Sequence, residues 1–209
     1  MPPLALAPRG GRRRLGRGFT LIDLVVVITL TGTLAGTMTV VFSRLAQQSA
    51  ESLRGRETLK LAQSMLAEVR AMPFTYCDPN DANALNATAA FVGALGCTTT
   101  VDQLGPEAGE SRYNAAARFD GVSDYHGFTM PGPGCATFCD RNGVPLGGAA
   151  RLAGCSLAVA TTPVALPALA ALDANGRAQA LRIVVTVRCA GRADTVAEGV
   201  RVRHSPKSF

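Results

Sequence analysis

Several residue types that build catalytic centres are scarce in this sequence. Its 209 residues include no tryptophan and only two histidines, His126 and His204. With so few imidazole groups, a histidine-rich metal site or acid–base centre is not expected. The sequence also lacks a nucleophile paired with a base, a Walker loop and a dinucleotide fingerprint. We therefore expect a chain that is not an enzyme and holds no cofactor or metal.

Acidic residues are missing from the first 18 residues, where five of the 21 basic residues lie. The rest of the chain holds 16 basic residues against 15 acidic ones, so it is nearly neutral although the whole chain carries +6. This local excess of charge is weak support for nucleic-acid binding, which we do not expect. The five basic residues are Arg9, Arg12, Arg13, Arg14 and Arg17.

A long apolar segment follows this basic leader. Residues 19–42 contain one charge, Asp23, in 24 residues, which as a helix would span about 36 Å and cross a bilayer. The preceding arginines predict that the N-terminus stays in the cytoplasm and that the rest is exported. Because the segment is longer than the apolar core of a secretory signal peptide, we expect it to be retained as an anchor.

The junction between leader and apolar segment resembles the type IV prepilin signal. Residues 14–18, RLGRG, are followed by residues 19–24, FTLIDL. The resemblance implies that a prepilin peptidase cuts between Gly18 and Phe19 and that the new amino group of Phe19 is methylated. It also implies that Asp23, where the family usually carries glutamate, docks against the N-terminus of a neighbouring subunit. The alternative is that Asp23 is a polar residue at the membrane boundary of a single-span anchor.

The helical pattern continues beyond the apolar segment. Ala62, Met65, Leu66, Val69 and Met72 recur every three or four residues along one face, with Gln63, Glu68 and Arg70 off it. Pro73 ends the pattern. We therefore predict a leader at 1–18, a transmembrane or filament-spine helix at 19–42, its amphipathic continuation at 43–73, and a periplasmic head at 74–209.

The head begins with a region rich in turn-forming residues, 77–154, and strand patterns return near the C-terminus. Residues 181–189 and 195–204 alternate as a β-hairpin does, and residues 156–161 form a weaker third strand. This predicts an α+β fold with a long N-terminal helix packed on an antiparallel sheet, which is the plan of type IV pilins.

Alternation in the hairpin also predicts which side chains face outward. We expect Val200 and Val202 to point inward and four arginines to form one outward basic patch. Such a patch is either a solvated face or a contact for an acidic partner, namely a neighbouring pilin, an anionic polymer or DNA. The four residues are Arg182, Arg188, Arg201 and Arg203.

Six cysteines all lie beyond the apolar segment, which predicts disulfides in an oxidising compartment. Their pairing is open, although we expect Cys189 to be tied to the core. Cys135 and Cys139, with three residues between them, lack the spacing of thioredoxin-like enzymes, so a membrane-anchored redox protein is the lesser alternative. The six are Cys77, Cys97, Cys135, Cys139, Cys155 and Cys189.

Three head segments are similar to the MshD-type minor pilins of the mannose-sensitive haemagglutinin pilus system. They are residues 61–68, 118–128 and 182–187. This resemblance implies a minor pilin, first anchored in the inner membrane and then incorporated with other pilins into a surface filament. A pseudopilin of a type II secretion system is an open alternative.

The spacing of Asp120 and Asp124 raises the question of a calcium site. The spacing of an EF-hand loop is absent, however, so a polar turn is expected there.

Overall fold

The computed structural model describes residues 20–204, so the predicted cleavage site at Gly18 and Phe19 lies outside the described residues. One long helix, α1, runs from Leu21 to Ala71 over 51 residues. It ends just before Pro73, whose missing amide hydrogen and restricted backbone do not support a continuing helix. The long helix and its proline-linked end are therefore confirmed within the described residues. The chain divides into two compact units, of which the first extends to Ser49.

The first unit is the apolar part of α1. Its large hydrophobic side chains are exposed along the whole segment, from Leu21 at 78% to Phe42 at 69%. The helix is long and apolar enough to cross a membrane. Five threonine hydroxyls in this segment donate to backbone carbonyls three or four residues earlier, so each is satisfied within the helix. These are Thr29, Thr31, Thr33, Thr37 and Thr39.

The second unit contains the sheet, which has four antiparallel strands in the order β1-β2-β3-β4. The strands are β1 Thr129–Met130, β2 Cys155–Pro163, β3 Ala180–Cys189 and β4 Thr195–Val202. Two short 3₁₀ helices cover Ser123–Tyr125 and Ala149–Leu152. The hairpin, the third strand and the loop-rich region 77–154 are thus confirmed, with β1 and the two 3₁₀ turns added.

The core forms where the second part of α1 packs on the sheet. Ala62, Met65 and Val69 of the predicted apolar face are buried, together with Ile183 and Val185 of β3. Leucine, valine and isoleucine side chains removed from water in this way are the main stabilising contribution to such a head. The predicted α+β class, a long N-terminal helix on an antiparallel sheet, is confirmed at this level.

The predicted faces of β4 are wrong. Arg201 lies directly opposite Leu181 of β3, and Gly199 lies opposite Ile183, so these residues of β4 share the core-facing side. Val200 and Val202 are instead 40% and 44% exposed. In a hairpin the register is imposed by both strands, and here the strongly apolar face of β3 determines it.

A close approach of α1 explains why β4 has a glycine at position 199 on its core-facing side. A Cβ added at Gly199 would lie 2.9 Å from Cδ of Arg70 and 3.2 Å from Cδ1 of Leu66, both on α1. A side chain at Gly199 would therefore have to displace Arg70 or Leu66. Val200 and Val202 lie on the outer face, where the alternation pattern alone places the polar residues.

Candidate functional site

Asp23 lies in the exposed first turn of α1 and caps it. The backbone N–H and the hydroxyl of Thr20 donate to Oδ2 of Asp23 at 3.1 and 2.8 Å, and the N–H of Asp23 donates to Oγ1 of Thr20 at 3.3 Å. This reciprocal arrangement has the form of a capping box, and a carboxylate here also complements the helix dipole. Oδ1 of Asp23 has no hydrogen-bond donor among residues 20–204, so it is free to accept one from another chain.

All six cysteines form disulfides, and the structure assigns their pairing: Cys77–Cys97, Cys135–Cys139 and Cys155–Cys189. The predicted disulfides of the head are therefore present. Cys155 and Cys189 face each other at the ends of β2 and β3, and both pack against the core, as expected for Cys189. The sulfurs of the Cys135–Cys139 pair belong to residues no more than 5% exposed, which supports a structural role.

The four arginines of the predicted basic patch do not lie together, and that prediction is wrong in its geometry. Arg182 and Arg188 are on the outer face, where each is paired with a carboxylate of the hairpin at 2.7 and 2.9 Å. Arg201 lies on the core-facing side of β4, opposite Leu181. The side chain of Arg203, just past the end of β4, is only 5% exposed. The two outward arginines are thus neutralised by Glu198 and Asp194.

A buried ion pair links α1 to the loop-rich region, and the sequence did not reveal it. The side chain of Arg112 is 3% exposed, and its Nε and Nη2 donate to the two carboxylate oxygens of Glu68 at 2.8 and 2.7 Å. Nη1 of Arg112 donates to the carbonyl oxygens of Cys139 and Asp140. The hydroxyl of Tyr125 donates to Glu68 at 2.8 Å.

Electrostatics in this ion pair favour the charged state. Burial alone would lower the pKa of Arg112, but hydrogen bonds and the charge of Glu68 outweigh it and raise that pKa. Burial and the Glu68 charge raise the pKa of Tyr125 as well. Glu68 follows Met65 by three residues, which places it at the border of the apolar face. That position was the one available sequence signal for a role in the core.

A second carboxylate, Asp81, links the loop closed by Cys77 and Cys97 to the segment that follows Cys97. Its oxygens accept backbone N–H groups at 2.7–2.9 Å from the four residues Asn83, Thr98, Thr99 and Thr100. Burial by itself would raise the pKa of Asp81, but these hydrogen bonds hold it well below its usual range. The carboxylate organises a small separate core of alanines beside the disulfide.

Five further carboxylates converge in the loop-rich region and are called here the acidic cluster. It consists of two sets that share one residue, and within each set the oxygens lie within 4.8 Å of one another. Oxygen atoms of this kind are the ligands that Ca²⁺ and Mg²⁺ prefer, and these residues are the ones in 20–204 that could offer such a set. The five residues are Asp78, Glu107, Glu110, Asp120 and Asp124.

The acidic cluster is electrostatically strained. Burial, followed by the charge of Asp124, raises the pKa of Glu107 to about 8. Burial and the charge of Asp78 raise the pKa of Asp120 to about 7. Single oxygens of Glu107, Glu110 and Asp120 are buried without a hydrogen-bond donor among the described residues. Carboxylates held so close together resist ionising at once.

Asp124 is the member of the acidic cluster that accepts two backbone N–H groups, since its Oδ2 accepts those of Asp120 and Gly121 at 2.9 and 2.7 Å. This is the polar turn expected for Asp120 and Asp124. Burial nevertheless raises the pKa of Asp124 to about 6 against these hydrogen bonds.

Comparison with known proteins gave no match to a protein-family model, to a curated protein or to a solved structure. Function is therefore inferred from the residues and their geometry.

Proposed function

We propose that this chain is a pilin-like subunit: a minor pilin that prepilin peptidase processes and that joins other pilins in a type IV filament. The observation that carries the proposal is the prepilin-type signal at residues 14–24, which leads directly into α1. The mature chain would begin at Phe19 and carry Asp23 as its fifth residue. Before assembly it would be held in the inner membrane with its head in the periplasm.

The exposed apolar side chains of α1 support this assignment. A helix with large hydrophobic residues on all sides needs either lipid or other helices around it. Gly32 and Gly36 have nothing within 4 Å of an added Cβ, and their G-x-x-x-G spacing permits close contact with a second helix. A spine helix that passes from bilayer to filament meets both requirements in turn.

The head also agrees with the proposal. A long N-terminal helix that packs on an antiparallel sheet is the architecture that the pilin resemblance implies. Three disulfides suit a domain that works outside the cytoplasm. The buried cysteines argue against the redox alternative, since a redox centre requires accessible thiols.

Asp23 would act as the docking residue of the subunit. An ammonium group at the N-terminus of a neighbouring Phe19 and the carboxylate of Asp23 would each be costly in an apolar bundle, and pairing them offsets both costs. The capping contacts with Thr20 use only Oδ2, so Oδ1 is left for the neighbour. The charge pair would also set the axial position of one subunit against the next.

A substitution series at Asp23 tests this role because its cap and its charge can be separated. Asp23→Asn keeps an acceptor oxygen for Thr20 but removes the charge, whereas Asp23→Ala removes both. Asp23→Glu preserves both, since glutamate also completes a capping box. We expect incorporation into sheared filaments to fall at least tenfold for Asn and Ala and to be retained for Glu.

The controls are cleavage and folding of the subunit itself. In all three variants the membrane-associated form should begin at Phe19 by N-terminal sequencing and should contain no free thiol. Wild-type incorporation of Asp23→Asn would rule out the charge-pair mechanism. An uncleaved leader in the parent chain, in cells with active prepilin peptidase, would rule out the pilin assignment.

A further inference from the structure

A cavity of about 300 Å³ lies beside the end of the hairpin in the head. Its wall combines apolar side chains, including Phe74 and Leu172, with charged ones from three different parts of the chain. At this volume, the lower end of the roughly 300–1,000 Å³ typical of ligand sites, it has room for one small molecule. The charged side chains are Asp102, Arg177 and Arg203.

Arg203 is buried in the wall of this cavity without adequate partners. Its side chain is 5% exposed, and its Nε and Nη1 have no hydrogen-bond acceptor among the described residues. The nearest carboxylate oxygens, from Asp102 and Asp173, are 4.0 and 3.9 Å away, too far for a hydrogen bond. The ring of Phe74 lies 4.7 Å from Cζ and supports the guanidinium by a cation–π contact.

Asp102 is similarly incomplete. Its side chain is 4% exposed, its Oδ1 accepts the hydroxyl of Ser123, and its Oδ2 has no donor among the described residues. Burial raises the pKa of Asp102 to about 7, against the Ser123 hydrogen bond and the charge of Arg203. A carboxyl group in its protonated form can itself donate to a ligand oxygen.

The wall is rich in hydrogen-bond donors, while the carboxylates of Asp102 and Asp173 lie at ion-pair distance from Arg203. Arg177 contributes a second guanidinium, which has no hydrogen-bond or ion-pair partner within residues 20–204. The guanidinium of Arg203 has two carboxylates at ion-pair distance but no hydrogen-bond acceptor for Nε or Nη1, and a ligand carboxylate is the group that supplies such acceptors best. We propose that this cavity is a binding site for a small carboxylate, whose oxygens accept the free N–H groups of Arg203 and whose apolar part contacts Phe74 and Leu172.

The test is ligand-observed saturation-transfer NMR on the full chain in a non-ionic detergent. The probes are propionate and benzoate, each compared with its uncharged counterpart, propionamide and benzamide. We expect the carboxylates to bind at least tenfold more tightly than the amides. Equal binding of acid and amide, or no binding of either carboxylate, would overturn the proposal.

Two variants and one control locate the site. Leu172→Trp fills the cavity from its exposed wall, and Arg203→Lys keeps the charge but loses the guanidinium; both should weaken carboxylate binding at least tenfold. Arg188→Gln, on the outer face of the sheet, should leave binding unchanged. Should Arg203→Lys fail to fold, Leu172→Trp still decides, because carboxylate binding that survives it must occur elsewhere. The result is independent of filament assembly.

Discussion

The buried carboxylates of the head fall into two groups that differ in how completely the fold satisfies them. Glu68 is held by both nitrogens of the Arg112 fork and by a tyrosine hydroxyl, and Asp81 accepts four backbone N–H groups. In the acidic cluster, by contrast, three oxygens are buried without donors. Burial disfavours the charged form of every carboxylate, so hydrogen bonding decides how far each one stabilises or destabilises the fold.

The largest effect should come from breaking the satisfied ion pair. Arg112→Met leaves the half-buried carboxylate of Glu68 with the Tyr125 hydroxyl and with Arg141 at 3.8 Å, and should lower the free energy of unfolding by about 3 kcal/mol, the lower end for a broken buried pair. Chemical denaturation followed by tyrosine fluorescence measures this, because the chain has three tyrosines and all lie in the head.

The matched control is Arg182→Met, which breaks an exposed ion pair with Glu198 and should cost about 0–1 kcal/mol. The double variant Arg112→Met, Glu68→Met should recover part of the loss, since it removes both charges. Equal losses for Arg112→Met and Arg182→Met would show that burial makes no difference to this pair.

A smaller loss is expected at Asp81. Asp81→Ala leaves four backbone N–H groups, one inside the Cys77–Cys97 loop and three just after it, without their acceptor and should cost about 1–3 kcal/mol. Hydrogen exchange of the amides of Thr98, Thr99 and Thr100 should accelerate at the same time. Unchanged exchange at these amides would contradict the proposed role of the carboxylate.

The carboxylates of the acidic cluster should make the head more stable in acid than at neutral pH. The folded state raises the pKa values of Glu107, Asp120 and Asp124 to about 8, 7 and 6, so it binds protons that the unfolded chain has already released. Stability is therefore greatest below the unfolded pKa values and is lost as pH rises through the folded ones. After allowance for solvent screening, we expect a gain of about 1 kcal/mol from pH 8 to pH 5.

This measurement is made in the presence of a chelator, so that proton binding alone is observed. The low pKa of Asp81 does not interfere, because that group stays ionised throughout the interval. A head that loses stability between pH 8 and pH 5 would show that the acidic cluster is not strained.

The smallest effect should come from neutralising one member of the acidic cluster. Asp120→Asn keeps an acceptor for the side chain of Asn80, which donates to it at 2.6 Å, but removes one negative charge. It should stabilise the head by less than about 1 kcal/mol at pH 8 and by nothing at pH 5. Asp194→Asn, on the outer face, is the control and should not stabilise. Stabilisation of equal size at both pH values would point to a cause other than charge.

Local patterns predicted the elements of this fold well. The three- and four-residue spacing of apolar residues predicted the helix that ends at Ala71. The alternation in residues 181–189 predicted β3 and its buried face. Both patterns depend only on residues that are close together in the sequence. Alternation failed for β4, because its facing depends on the register with β3 and on the space that Gly199 leaves for α1.

Contacts between distant residues were beyond the reach of sequence patterns. Glu68 and Arg112 are 44 positions apart, and Arg112 lies in a region without regular structure. The cysteine pairing has the same character, since spacing alone left it open. Likewise, Arg203 belongs by alternation to an outward patch, yet the structure places it in a cavity wall with Asp102. The secondary-structure elements could be predicted from the sequence, but the contacts between charged residues of different elements could not.

The internal hydrogen bonds of the threonine hydroxyls of α1 affect which apolar environments the helix can occupy. Since Thr29, Thr31, Thr33, Thr37 and Thr39 donate to carbonyls of their own helix, none requires a donor or acceptor from outside. In the proposed passage from bilayer to filament, the helix would exchange lipid tails for protein neighbours without breaking a hydrogen bond at any of these positions. For this stretch of chain such a transfer would change surface contacts alone.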